Sequence, residues 1–152
     1  MIVYLDPSAL VKRYVAEKGS ELVEKLIPEA EALGTALVSR AEIVAALAKA
    51  IRMGALEDEE ALQARETFEG EWPDLVRLAI SERLVERAAE AAWEHSLRGY
   101  DALHLAAAST WKDLLQKPVA LATFDRRLWQ AAGDEGLEPL PDDLPALLDD
   151  WS

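Results

Sequence analysis

The chain has 152 residues, about half apolar and nearly a third charged, a balance that fits one soluble globular domain able to bury its own core. The net charge of −13 at neutral pH argues against nucleic-acid binding through bulk attraction. With no cysteine and only His95 and His104, thiolate sites are excluded and a histidine-built zinc site is disfavoured, so any metal would be held by oxygen, as Mg²⁺, Mn²⁺ and Ca²⁺ prefer.

The N-terminus, Met-Ile-Val-Tyr-Leu-Asp, lacks a basic region followed by a long apolar stretch, and no apolar run approaches the roughly 18 residues of a membrane span. A cytoplasmic protein is expected. Residues 2–5 form a short apolar run without alternation, which suits a strand buried on both faces. Asp6-Pro7 then reads as the cap and first position of a helix over 8–17. A second helix is expected over 19–32 and a second strand over 35–38. Ser39 and Glu42 have the spacing of a capping box opening a helix that Gly54 ends. Helices over about 56–71, 81–95 and 100–115 follow, with a third strand over 74–78 and a fourth over 119–122. The segment 56–72 is a candidate projection from the domain. A short helix from Asp125 to Ala132, stopped by Gly133, precedes a fifth strand over 137–140, and the acidic tail 141–152 is expected to pack loosely or meet a partner. Short apolar strands alternating with helices predict one α/β domain over 1–152, with a parallel sheet of four to five strands covered on both sides.

Ligands of open α/β sheets bind beyond the carboxyl ends of the strands. Asp6 ends strand 1, Glu42 lies in the turn after strand 2, Asp125 follows strand 4, and Asp101 begins a long helix. Each alone reads more readily as a helix cap or first-turn acid. Jointly they are harder to dismiss, because converging carboxylates repel by roughly 4 kcal/mol per pair at about 4 Å and an effective dielectric near 20. A hard divalent cation removes that cost. Beside a phosphodiester it can orient water, lower its pKa and stabilise developing charge. Lys12, Arg13, Arg40, Arg98, Arg126 and Arg127 all lie within a few positions of one of these acids, so a local basic rim is plausible on the acidic protein.

Four segments resemble, in order and spacing, the motifs of the PIN-domain nucleases, in particular the VapC-like toxin branch. The first is Tyr4-Leu5-Asp6-Pro7-Ser8-Ala9-Leu10, with Ser8 supporting Asp6; the second is Ser39-Arg40-Ala41-Glu42. The third is Tyr100-Asp101-Ala102-Leu103-His104, and the fourth is Ala122-Thr123-Phe124-Asp125-Arg126, with Thr123 as a polar helper. Pro7 departs from the Ser or Thr that many members carry there. The resemblance implies a PIN-like three-layer fold, Mg²⁺- or Mn²⁺-dependent hydrolysis of single-stranded or looped RNA to 5′-phosphate and 3′-hydroxyl ends, homodimerisation, and inhibition by a small antitoxin protein. Asp6, Glu42, Asp101 and Asp125 are then the catalytic, metal-holding set, and Arg40, Arg98 and Arg126 are weaker candidates for holding phosphates. His104 is read as a packed or hydrogen-bonded structural residue and His95 as a surface residue. Trp111 and Trp129 are read as packing residues, and Trp72 and Trp151 as candidate partner contacts. Two rival readings remain. One is a phosphatase or receiver-type phosphoryl-transfer domain, although position 8 is Ser where a phosphatase wants a second Asp. The other is a module that binds RNA or an antitoxin without cutting.

Overall fold

A computed structural model describes residues 1–152. The first strand, β1 (Ile2–Leu5), is buried along its whole length. Its side chains alternate between two cores: Ile2 and Tyr4 enter one cluster, Val3 and Leu5 the other. A strand covered on both faces has no use for a polar alternate, which is why its sequence is a plain apolar run. Strands β2 (Ala32–Ala36) and β4 (Ala120–Ala122) flank it, and β3 (Val76–Leu78) and β5 (Glu138–Leu140) close the edges. The order is β3-β2-β1-β4-β5 and every pairing is parallel. The chain winds outward from β1 to β3, then returns to begin again at β4 on the other side of β1. The winding therefore reverses between β1 and β4, where the crossover helices diverge and leave a crevice at the carboxyl ends.

One face of the sheet is covered by α5 (Glu82–His95), α6 (Gly99–Leu115) and α7 (Arg126–Asp134), which bury Leu84, Leu105, Trp111 and Leu128 around Tyr4. The alanines of α6, Ala102, Ala106, Ala107 and Ala108, are all buried and let that helix lie close to the strands. The opposite face is covered by α1 (Pro7–Leu10), α3 (Ser39–Arg52) and α4 (Asp58–Glu71), with Leu10, Ile43, Leu47 and Phe68 in its core. Helix α4 lies along α3 with Ala61, Ala64 and Phe68 buried. Two shorter helices, α2 (Ser20–Leu26) and α8 (Leu144–Trp151), complete the chain. Sheet and covering helices make the three-layer, PIN-like α/β architecture that the sequence predicts.

Several local expectations are corrected. The helix expected over 8–17 is one α-helical turn extended by a 3-10 turn, Val11–Arg13, because the chain must reverse at Gly19, where φ is +95°. A Cβ at Gly19 would also stand 2.7 Å from the Phe124 ring. Strand β2 starts three residues earlier than expected, since α2 ends ahead of a 3-10 turn containing Pro28. Ser39 does not cap α3. The cap is Val38, without a side-chain bond, and Ser39 Oγ lies 2.6 Å from Thr35 Oγ1, which itself donates to the Leu5 carbonyl. The reciprocal capping box is formed instead by Glu57 and Glu60 at the start of α4. Gly133 lies within α7, and the positive φ that follows the helix belongs to Gly136. Trp72, a candidate partner contact, is 4% exposed and packs against Phe68. In the tail, Leu144 is fully buried and Trp151 stacks on Phe124, so the chain end is docked.

Candidate active site

The crevice between the carboxyl ends of β1 and β4 collects all four acids. Asp6 leaves β1 and caps α1, accepting from the Ala9 amide at 3.0 Å. Asp125 follows β4 and caps α7, accepting from the Leu128 amide at 2.9 Å. Glu42 projects from the first turn of α3 and Asp101 from the first turn of α6. Together with Ser8, Arg98 and His104 they line one cleft of about 210 Å³. For Asp6 and Asp125 capping and convergence are the same fact, because α1 and α7 each start where a parallel strand ends at this edge; Glu42 and Asp101 join them from the first turns of α3 and α6, where the partial positive charge of the helix start favours carboxylates.

Asp6 is the most constrained of the four. Ser8 Oγ donates to its Oδ1 at 2.7 Å and Thr123 Oγ1 to its Oδ2 at 2.8 Å. Those hydroxyls are held in turn: the Phe124 amide donates to Ser8 Oγ at 2.9 Å and the Asp125 amide to Thr123 Oγ1 at 3.1 Å. Even so, burial outweighs these donors and the nearby His104, and pushes the Asp6 carboxyl above its ordinary range. Burial likewise raises Asp101, with the Arg98 guanidinium pulling it down and the Asp125 charge pushing it up. Two acids raised by burial thus stand in one cleft with two more carboxylates.

Glu42 is oriented by a relay that the sequence only half disclosed. His104 is 1% exposed; its Nε2 lies 2.8 Å from Glu42 Oε1 and its Nδ1 lies 2.7 Å from the Tyr4 hydroxyl. Burial first, then the charges of Asp6 and Glu42, hold the Tyr4 phenol far above its usual pKa. Tyr4 therefore keeps its proton and donates it to Nδ1, which makes Nε2 the donor toward Glu42; the tautomer is assigned from this network. His104 thus has the hydrogen-bonded structural place expected for it. In the sequence Tyr4 is one of the apolar residues of the first strand, yet its spacing two before Asp6 puts both on one side of the extended chain. That shared side, with His104 three residues after Asp101 on α6, was the available signal.

The rim differs from expectation. Lys12 pairs with Glu17, Arg13 with Glu24 and Glu71, Arg40 with Glu69, and Arg126 with Asp149. Arg127 donates to the Ser96 carbonyl. Arg98 reaches into the cleft, donating from Nε to Asp101 Oδ2 at 3.0 Å and from Nη2 to Asp125 Oδ2 at 3.2 Å. The expected rim of free positive charge is therefore largely neutralised by the protein's own acids. His95, expected to be unsupported at the surface, is half-buried with its Nε2 2.8 Å from Glu135 Oε1. Glu94, His95 and Glu135 gather ligand atoms within 4.8 Å of one another, where the end of α5 meets the turn between α7 and β5.

Comparison with known proteins agrees with this architecture. The sequence model of the PIN domain matches residues 3–134. Two ribonucleases of Mycobacterium tuberculosis, VapC45 of strain CDC 1551 / Oshkosh and VapC49 of strain H37Rv, are each 33% identical over 143 residues, covering 94% of this chain and 97% of theirs. The crystal structure of PAE2754 from Pyrobaculum aerophilum shares the fold, with a TM-score of 0.65 at 21% identity over 98% of this chain and 90% of that one. A match through both halves of the sheet, with full-length relatives, places this chain in the PIN-domain family.

Proposed function

We propose that this chain is a divalent-metal-dependent endoribonuclease acting as the toxin of a toxin–antitoxin pair. The observation that carries the reading is the convergence of Asp6, Glu42, Asp101 and Asp125 on one cleft at the reversal of the sheet. The VapC relatives are named ribonucleases, which supports RNA as the substrate. The donor set fits a hard cation: four carboxylates, no sulfur, and oxygens of Glu42 and Asp101 that receive no hydrogen bond from the protein. Asp6, Glu42, Asp101 and Asp125 would hold Mg²⁺ or Mn²⁺. Such an ion supplies Lewis acidity and a lowered pKa for water at the scissile phosphate.

The protein's own residues supply position. Ser8 and Thr123 fix both oxygens of Asp6, and the Tyr4–His104 relay fixes Glu42, so neither acid reorganises when a substrate arrives. Asp125 is anchored through one oxygen by the α7 amide, which leaves its other oxygen, once clear of Arg98, to orient an attacking water in line with the phosphorus. Arg98, which lines the cleft, and Arg40 and Arg126, each close in sequence to one of the four acids, are the groups proposed to hold flanking phosphates once freed from their own acids. A homodimer and a small antitoxin are the partners this reading implies. The phosphatase alternative is weakened by Ser8, which spends its hydroxyl on Asp6 where a second acid is needed.

The deciding experiment compares cleavage of a single-stranded RNA by the wild type and Asp101→Asn, each with Mg²⁺ and with EDTA. Cutting is expected only for the wild type with metal, and the variant should lose at least about 100-fold, the scale of removing one preorganised electrostatic group. Cleavage that survives EDTA, or an Asp101→Asn protein at full rate, defeats the proposal.

A further inference from the structure

Arg98 stands where a second cation would have to go. It is the N-terminal cap of α6 but makes no capping bond with its side chain; instead the guanidinium turns back over the first turn to Asp101 and across to Asp125. One planar fork thereby joins the first turn of α6 to the cap of α7, two carboxylates that repel each other. Both bonds end on an Oδ2 atom, so the guanidinium occupies the space beside the two oxygens that a divalent ion shared by Asp101 and Asp125 would also need. The grip is also a loose one. The Arg98 side chain is 64% exposed, against 9% for Asp101 and 29% for Asp125, and a pair open to water on its cationic side holds less firmly than a buried one. Its second support is the half-exposed Tyr100 ring, whose centroid is 4.9 Å from the guanidinium carbon.

Resting on the metal reading above, we propose that Arg98 is a built-in counter-cation that competes with the divalent ion for Asp101 and Asp125, and that metal binding releases it onto the Tyr100 face at the rim. Without metal, Arg98 keeps the two acids together and partly neutral. With metal, the protein gains a free guanidinium beside the cleft, before any phosphate has had to draw Lys12, Arg13, Arg40 or Arg126 away from Glu17, Glu24, Glu69, Glu71 and Asp149. Metal loading thus prepares the site for a phosphate as well as for water. Arg98 is in this sense a positioning residue whose place depends on the ion.

The test titrates Mn²⁺ into the wild type and Arg98→Gln, reading free Mn²⁺ by electron paramagnetic resonance, and melts both proteins in EDTA and in saturating Mn²⁺. Arg98→Gln removes the competitor, so its affinity for Mn²⁺ should be about three- to tenfold tighter, the size of releasing one or two exposed ion pairs. In EDTA the variant should melt below the wild type, since Asp101 and Asp125 then face each other unscreened, and Mn²⁺ should close that gap. An affinity equal to or weaker than that of the wild type overturns the role given to Arg98, as does a melting gap that Mn²⁺ leaves in place. Absence of Mn²⁺ binding by either protein overturns the metal site itself, and this inference with it.

Discussion

Asp6 shows most clearly how one side chain carries both a stability cost and a proposed function. It is 3% exposed and receives three hydrogen bonds, yet burial still raises its pKa. An acid raised above its unfolded value contributes stability that is fully present at low pH and is lost as pH climbs from about 4 through the folded value. Each tenfold gain in proton affinity corresponds to about 1.4 kcal/mol lost once the group must ionise. Asp6→Asn cannot ionise, so in EDTA its stability relative to the wild type should improve steadily as pH rises from about 4 to 7. Mg²⁺ should reverse the ranking, stabilising the wild type and leaving the variant almost unmoved. Urea unfolding at several pH values, with and without metal, measures both effects. A stability difference that does not change with pH would show that Asp6 ionises in the fold as freely as in the unfolded chain.

Among the elements, the closest fit is between β2 and α6. Gly34, in the middle of β2, faces Trp111 so closely that a Cβ would lie 2.6 Å from the indole ring. Trp111 is 5% exposed within the larger core and has little room to retreat. Gly34→Ala should therefore cost about 1–3 kcal/mol, as overpacking does, and lower Tm by roughly 2–4 °C per kcal/mol in a domain of this size. Replacing Trp111 by Phe in the same chain should recover part of that loss, which a double-mutant cycle by thermal unfolding would read. The pair also shows where sequence reasoning stops. The apolar run of β1, the Asp6-Pro7 start of α1 and the Ser81 cap of α5 were legible because each is a local rule of spacing or capping. The start of β2 was not, since it is set by pairing Ile2 with Ala32 across the sheet and by the space Trp111 needs. Ser39 misled for the same reason: its spacing to Glu42 satisfies a helix rule, but a neighbouring strand offers Thr35 and Glu42 is claimed by His104. Contacts made across the fold, Tyr4 with His104 and Arg98 with Asp125, are less legible: spacing marks the residues as candidates but does not say what they touch.

For the whole molecule the question is how a chain of net charge −13 approaches a polyanion. The bases that neighbour the four acids in sequence do not form an open positive face. Arg40, Arg126, Lys12 and Arg13 are each tied to an acid, so a phosphate must compete for them. At physiological ionic strength the Debye length is about 8 Å, so the distant acidic surfaces are felt only weakly inside the cleft. Few phosphates can therefore be neutralised at once, and few counterions released. For single strands the logarithm of the binding constant falls with the logarithm of salt by about 0.7 per neutralised phosphate. With no more than about three phosphates held, a log–log slope shallower than about −2 is expected for RNA bound to Asp101→Asn. The measurement is fluorescence anisotropy of a labelled strand across a salt series at constant Mg²⁺. A slope of −4 or steeper would require a continuous basic track, and would mean that the ion pairs around Arg40, Arg13 and Arg126 open together when RNA arrives. A shallow slope would instead place recognition in the cleft, where loop shape and the few cations beside the acids choose the bond.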